Sequence, residues 1–136
     1  MKRKSGVLLH ISSLWGDFSC GSFGKAAKDF IDFLTACGFS YWQVLPFCPV
    51  DDFNSPYKSY STFAGNLYFV DLEGLFEKGL LTKEELENAK QKSPYLCEFE
   101  RLRDERFDLL MTASRRVQDR RKIEDFILEK PYIKNY

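Results

Sequence analysis

Two short apolar runs joined by one amphipathic helix constrain this chain more than any other feature. Gly6-Val7-Leu8-Leu9-His10-Ile11 has no polar alternation and is rich in leucine and β-branched residues, which predicts a buried strand. A loop, "SSLWGDFSCGSFG", follows and is punctuated by Gly16, Gly21 and Gly24. A helix then starts near Gly24 or Lys25. Ala27, Phe30, Ile31 and Leu34 form one apolar stripe, with Lys28, Asp29 and Asp32 facing away. Gly38 stands where a left-handed C-cap is wanted. Tyr41 to Phe47, "YWQVLPF", is a second buried-strand candidate closed by Pro46 and Pro49. Strand, helix and strand with short links predict an α/β fold built on a right-handed βαβ unit with parallel strands.

Further along, "LYFVDL" reads as a short third strand or extended segment. Thr82 with Glu85 three residues later forms a capping-box start, and Ser93-Pro94 breaks the helix that begins there. Phe99 to about Lys130 reads as one long helix carrying Leu102, Leu109, Leu110, Ala113, Val117, Ile123, Phe126 and Ile127, with Pro131 at its end. The pattern divides into residues 1–81, the βαβ unit with its loop, and residues 82–136, mainly helical. A parallel sheet needs both faces covered, and two or three strands here find only part of that cover. The chain reads as unfinished.

Composition excludes several classes. Hydrophobic residues at 44% and aromatics at 16% argue against disorder, and 20 basic residues balance 20 acidic ones. Nucleic acid is not an expected partner: the basic stretch "SRRVQDRRK" lies in a helix whose mixed charges form a solvated face. The basic N-terminus is followed by only Val7-Leu8-Leu9 before His10, too short for a signal peptide, and no run is long enough to span a membrane. A cytoplasmic location is expected. Cys20, Cys37, Cys48 and Cys97 contain no C-x-x-C pair, and with one histidine in the chain they read as free thiols, not as zinc ligands.

The loop "NSPYKSYSTFAGN", Asn54 to Asn66, is unusually aromatic and hydroxyl-rich. Pro56 fixes its own φ and biases Ser55 towards extended geometry. Tyr57, Tyr60 and Phe63 suit the C–H faces of a sugar, with Ser55, Ser59, Ser61 and Asn66 as hydrogen-bonding groups. A purely structural loop whose aromatics pack on the sheet is the competing reading. Asp51 and Asp52 are adjacent and read as a solvated turn, while Asp17 and Asp71 stand alone, so no catalytic carboxylate pair is visible. His10, at the carboxyl end of the first strand, reads as structural. The glycines of "GDFSCGSFG" match no phosphate-binding loop.

"GVLLHISSL", "DFIDFLTACGFSYWQVLPF" and "SPYKSYSTFAGNLYFVDL", in this order, resemble the N-terminal part of the 4-α-glucanotransferase family, also called amylomaltase or disproportionating enzyme (glycoside hydrolase family 77). The resemblance runs from about Ser5 to Leu81 and more loosely to the end. It implies the start of a (β/α)₈ TIM barrel, incomplete here. It also implies retaining transfer of α-1,4-glucan segments between maltodextrins, with no metal or organic cofactor. By that resemblance Ser55 and Tyr57 line the donor side of the cleft as substrate-binding residues, and the catalytic carboxylates lie on later strands, absent from this chain. Lys58 stands where the family usually has glutamine, Leu67 where proline is common, and Trp15 is the oddest substitution. A non-catalytic glucan-binding module or remnant is the alternative, and the oligomeric state is left open.

Overall fold

The computed structural model describes residues 3–130 and 132–133. Strand β1 (Gly6–Leu8) and strand β2 (Tyr41–Gln43) pair in parallel, with Gly6 opposite Tyr41, Val7 opposite Trp42 and Leu8 opposite Gln43. Helix α1 (Lys25–Ala36) connects them, as the apolar pattern predicts. The strands are shorter than the apolar runs because pairing stops at both ends. His10 leads into a 3-10 turn at Ile11–Ser13, and its Nδ1 takes the Leu45 N–H that would otherwise extend the second strand. The indole Nε1 of Trp42 donates to the Leu9 carbonyl at 2.7 Å, fastening the two runs just past their ladder.

The expectation of fully buried strands is corrected. Only one face is covered: Trp42 meets Phe30 of α1 edge-on at 5.0 Å, whereas Leu8 and Tyr41 are each 58% exposed. A two-stranded sheet has one helix to pack against, so its second face stays open. On α1, Ala27, Phe30 and Leu34 are buried and Ile31 is not, because the stripe facing the sheet is narrower than the apolar pattern. Gly38 takes φ +76°, and the Phe39 and Gly38 N–H groups donate to Leu34 and Thr35 carbonyls at 3.0 Å, a Schellman C-cap.

The third-strand expectation for "LYFVDL" is also corrected. Leu67–Phe69 is a 3-10 turn, followed by helix α2 (Leu72–Glu77). The Asn66 side chain accepts from Tyr68 N at 2.9 Å, which curls the backbone and withdraws that donor from any ladder. Helix α3 (Lys83–Asn88) starts with the expected reciprocal capping box between Thr82 and Glu85. It ends before Ser93, so the proline does not stop it. The expected long helix is two: α4 (Phe99–Arg115) and α5 (Arg121–Glu129). The break has one distant cause and one local cause. Arg116 grips Glu85 through two hydrogen bonds, 2.6 and 2.7 Å, and donates to the Leu80 carbonyl, while the Asp119 carboxylate accepts from Arg121 N and opens a new helix. That Arg116 contact holds the Glu85 carboxyl down at about 2. Pro131 lies outside the described residues.

Two apolar clusters form. One joins Ile11, Leu14, Cys20, Ala27, Phe30, Leu34, Phe69 and Leu102; the other joins Leu72, Leu81, Leu86 and Ala113. Between them sits Arg106, 5% exposed, whose guanidinium donates to the carbonyls of Phe18 (2.5 Å), Tyr68 and Val70 (both 3.5 Å). The glycine-punctuated loop packs onto the first cluster through Gly21, where an added Cβ would lie 2.0 Å from the Ile11 carbonyl oxygen and 2.9 Å from that of Leu14. Backbone cannot swing aside as a side chain can. Gly21→Ala is therefore expected to destabilise the fold by at least about 2 kcal/mol, read as a lowered denaturation midpoint. Gly16→Ala, whose nearest neighbour lies 3.7 Å away, is expected to leave the midpoint nearly unchanged.

Candidate functional site

The carboxyl ends of β1 and β2 open onto a small cavity of about 180 Å³, lined among others by His10, Ser12, Ser13, Asn54, Pro56 and Asn66. In parallel sheets this end is where loops gather and ligands bind. The aromatic–hydroxyl loop thus borders the cavity through Asn54 and Pro56. A cleft of about 300 Å³ between α3 and α4 is a packing seam: Arg101 crosses it to the carbonyls of Asn88 and Lys90, with Glu105 one turn further along α4 pairing the same guanidinium.

Asp51 organises the loop. Its Oδ1 accepts from Phe53 N and Ser55 N, both at 3.1 Å, its carbonyl accepts from Asn54 N at 2.9 Å, and its other oxygen lies 3.7 Å from Lys58 Nζ. These bonds turn the chain sharply, and Asn54 takes φ +58°, a left-handed conformation that asparagine tolerates better than most residues. The expectation that Asp51 belongs to a turn holds, with more consequence than solvation alone. Asp52 stays on the surface, its carbonyl accepting from Arg103 at 3.1 Å.

Ser55 is half-buried, its N–H held by Asp51 and its Oγ accepting from Tyr57 N at 3.4 Å. A hydroxyl that accepts in this way keeps its hydrogen to donate. Tyr57 is 74% exposed, presenting its ring and phenol outward. The other polar candidates serve the loop itself. Ser59 bonds both backbone groups of Ser61, Ser61 Oγ accepts from Phe63 N and Ala64 N, and Asn66 caps Tyr68. Of the aromatics, Phe63 has Tyr132 tilted against it at 4.9 Å, and Tyr60 is 76% exposed. Lys58, where the resemblance leads one to expect glutamine, sits over the Phe53 ring at 5.9 Å as well as near Asp51.

The single carboxylates are dispersed. Asp71 is wedged against the backbones of Gly24 and Gly74, at the N-termini of α1 and α2, and Asp17 accepts Gln91 N through its carbonyl. No group of three or more metal-ligating side chains occurs among the described residues. Arg106 was missed from sequence, although it stands four residues after Leu102 and seven before Ala113, on the apolar stripe of α4. A charged residue in such a stripe was the available signal.

His10 is structural in its contacts. Nδ1 accepts from Leu45 N at 3.2 Å, and the ring meets Phe69 edge-on at 5.2 Å and stacks near Phe47 at 6.2 Å. Burial lowers its pKa, so the folded state favours the neutral ring that can accept that bond. The unfolded chain then binds the proton more readily. The stabilisation is complete above the ordinary imidazole value of 6.5 and is lost as the pH falls from there through the lowered folded value. Thermal melts between pH 7.5 and 5 are expected to show this loss, and His10→Asn, which has an acceptor but no titration, is expected to flatten it.

Comparisons with known proteins find relatives along nearly the whole chain. A family model described as 4-alpha-glucanotransferase matches residues 9–136. A 4-alpha-glucanotransferase of Streptococcus pneumoniae is 52% identical over 88 residues, covering 65% of this chain and 17% of that protein. One from Aquifex aeolicus is 38% identical over 132 residues, covering 96% of this chain and 27% of that protein. The solved amylomaltase of Streptococcus agalactiae, in complex with acarbose, aligns with a TM-score of 0.89 at 34% identity, over 97% of this chain and 28% of that one. The chain thus spans about a quarter or less of the length of these relatives. With the family model covering nearly all of it, the chain belongs to the 4-α-glucanotransferase family, glycoside hydrolase family 77.

Proposed function

We propose that this chain is the N-terminal part of the (β/α)₈ barrel of a cytoplasmic 4-α-glucanotransferase. The loop from Asn54 to Asn66 would form one wall of its maltodextrin groove, with Tyr57 against a sugar ring and Ser55 donating to a sugar hydroxyl. One observation carries the reading: Asp51 bonds Ser55 N, Ser55 Oγ accepts from Tyr57 N, and their neighbours Asn54 and Pro56 line the cavity at the carboxyl ends of two parallel strands, inside a segment that matches the family almost throughout. The open sheet face at Leu8 and Tyr41 fits a barrel that continues beyond this unit, and supports it over a self-contained binding module.

Transfer with retention needs a carboxylate nucleophile, a carboxylic acid to protonate the leaving oxygen, and a second sugar's hydroxyl to resolve the glycosyl-enzyme. Asp51 is poorly suited to the first role, because an oxygen that already accepts two backbone N–H groups is a weaker nucleophile. We assign neither role to the residues described here. No helix among them is long and apolar enough to cross a membrane.

The 136-residue chain incubated with maltotriose is expected to release no glucose and build no longer oligomers. Titration with acarbose, followed by NMR, is expected to shift the amide signals of Ser55 to Lys58. Tyr57→Ala should weaken that binding about tenfold, or about 1.4 kcal/mol, with an unchanged thermal midpoint because the side chain is exposed. Glucose release, or acarbose binding indifferent to Tyr57, would sink the reading.

A further inference from the structure

The loop after β1 and the segment leading into α4 meet through their backbones. Glu98 N donates to the Ser19 carbonyl at 2.9 Å, and Ser19 Oγ donates to Glu98 Oε2 at 3.3 Å. Cys20 and Cys97 each follow or precede that bonded pair by one residue, and both line one cavity of about 370 Å³ together with Ser12, Gln91 and Phe99. Their environments differ. Cys20 is 5% exposed within the first apolar cluster, whereas Cys97 is half-buried at its margin. Cys37 and Cys48 are elsewhere: Cys37 caps α1 on the surface, and Cys48 points to the Thr62 carbonyl.

We propose that Cys20 and Cys97 are a redox-modification site, closing a reversible disulfide that ties the loop after β1 to the start of α4. Each thiol acts on the other: the neighbouring Cys97 and its own burial push Cys20 up, and the neighbouring Cys20 holds Cys97 below the ordinary thiol value. The Arg106 guanidinium favours the thiolate at both. Cys97, the more accessible of the two at the cluster margin, is the thiol that a small disulfide reaches first, and buried Cys20 is the resolving thiol.

The oxidant is a low-molecular-weight disulfide. Cys97 thiolate attacks one of its sulfurs, forming a mixed disulfide and expelling the first small thiolate. Cys20 then attacks the Cys97 sulfur and expels the second, the Cys20 proton passing to the departing thiolate. Two protein thiols become one S–S bond, and one small disulfide becomes two small thiols, so atoms and electrons balance. In a reducing compartment both cysteines rest as thiols, in keeping with the free cysteines of this structure.

The test uses the folded 136-residue chain and glutathione disulfide, followed by alkylation in denaturant, non-reducing digestion and mass spectrometry. The expected product joins the Cys20 and Cys97 peptides, is two hydrogens lighter than the pair, and reverts with dithiothreitol. In Cys20→Ser, glutathione is expected to accumulate on Cys97, which has lost its resolving partner; in Cys97→Ser, Cys20 should stay unmodified. Recovery of Cys20 and Cys97 as alkylated thiols while Cys37 and Cys48 carry glutathione would overturn the proposal. So would a Cys97 adduct that persists in the unsubstituted chain. Neither result bears on glucan binding, which depends on a different loop.

Discussion

The structure depends on one buried cation. The sheet has only three paired residues per strand, too little to organise a chain of this length, so its helical half must be fastened by other means. Arg106 does this from the middle of α4, reaching the Phe18 carbonyl in the loop after β1 and the Tyr68 and Val70 carbonyls leading into α2. Each of those oxygens lies outside regular pairing and would otherwise be left to water or buried unsatisfied. Burying a guanidinium is costly, and its lowered pKa reflects that desolvation. The cost is offset because three carbonyl dipoles converge on a planar group with five fixed donors. Its bonds reach both apolar clusters, since Tyr68 packs against the first and Phe18 against the second.

The loop beside the cavity follows a similar logic on a smaller scale. It has no ladder and little apolar cover, so side-chain to backbone bonds supply its order, from Asp51 at one end through Ser59 and Ser61 to Asn66 at the other. Most of its hydroxyls are consumed internally. Tyr57, Tyr60, Phe63 and the hydrogen of Ser55 are what the loop has left to offer outward, on a frame that the proposed binding would have little need to order further. Such a frame also explains why a loop with exposed aromatics need not collapse onto the nearby cavity.

Reading the chain residue by residue recovered the elements whose cause is local. The α1 stripe, the Gly38 cap, the Thr82–Glu85 box and the turn before Ser55 all depend on residues within a few positions of one another. The errors share a different cause. "LYFVDL" has strand-like residues, but among the described residues no free strand lies alongside to pair with it, and the Asn66 cap turns it into helix. The helix from Phe99 looked continuous because its apolar residues continue, while the break depends on Glu85 and Leu80, more than thirty residues earlier. Arg106 looked like one more charge on a solvated face because the three carbonyls it serves are distant in sequence.

The amino-acid sequence alone therefore determined the parallel βαβ unit, the helix caps, the family to which the chain belongs, and the loop that Ser55 and Tyr57 occupy. These follow from periodicity, capping chemistry and motif order, all of which are written along the chain. Tertiary structure decided which face of the sheet stays open, that Asp51 is the support of the loop, that Arg106 is buried, and that Cys20 meets Cys97. These properties come from pairing between segments far apart in sequence. Whether a carbonyl, a thiol or a guanidinium finds a partner there depends on packing geometry that no local pattern encodes.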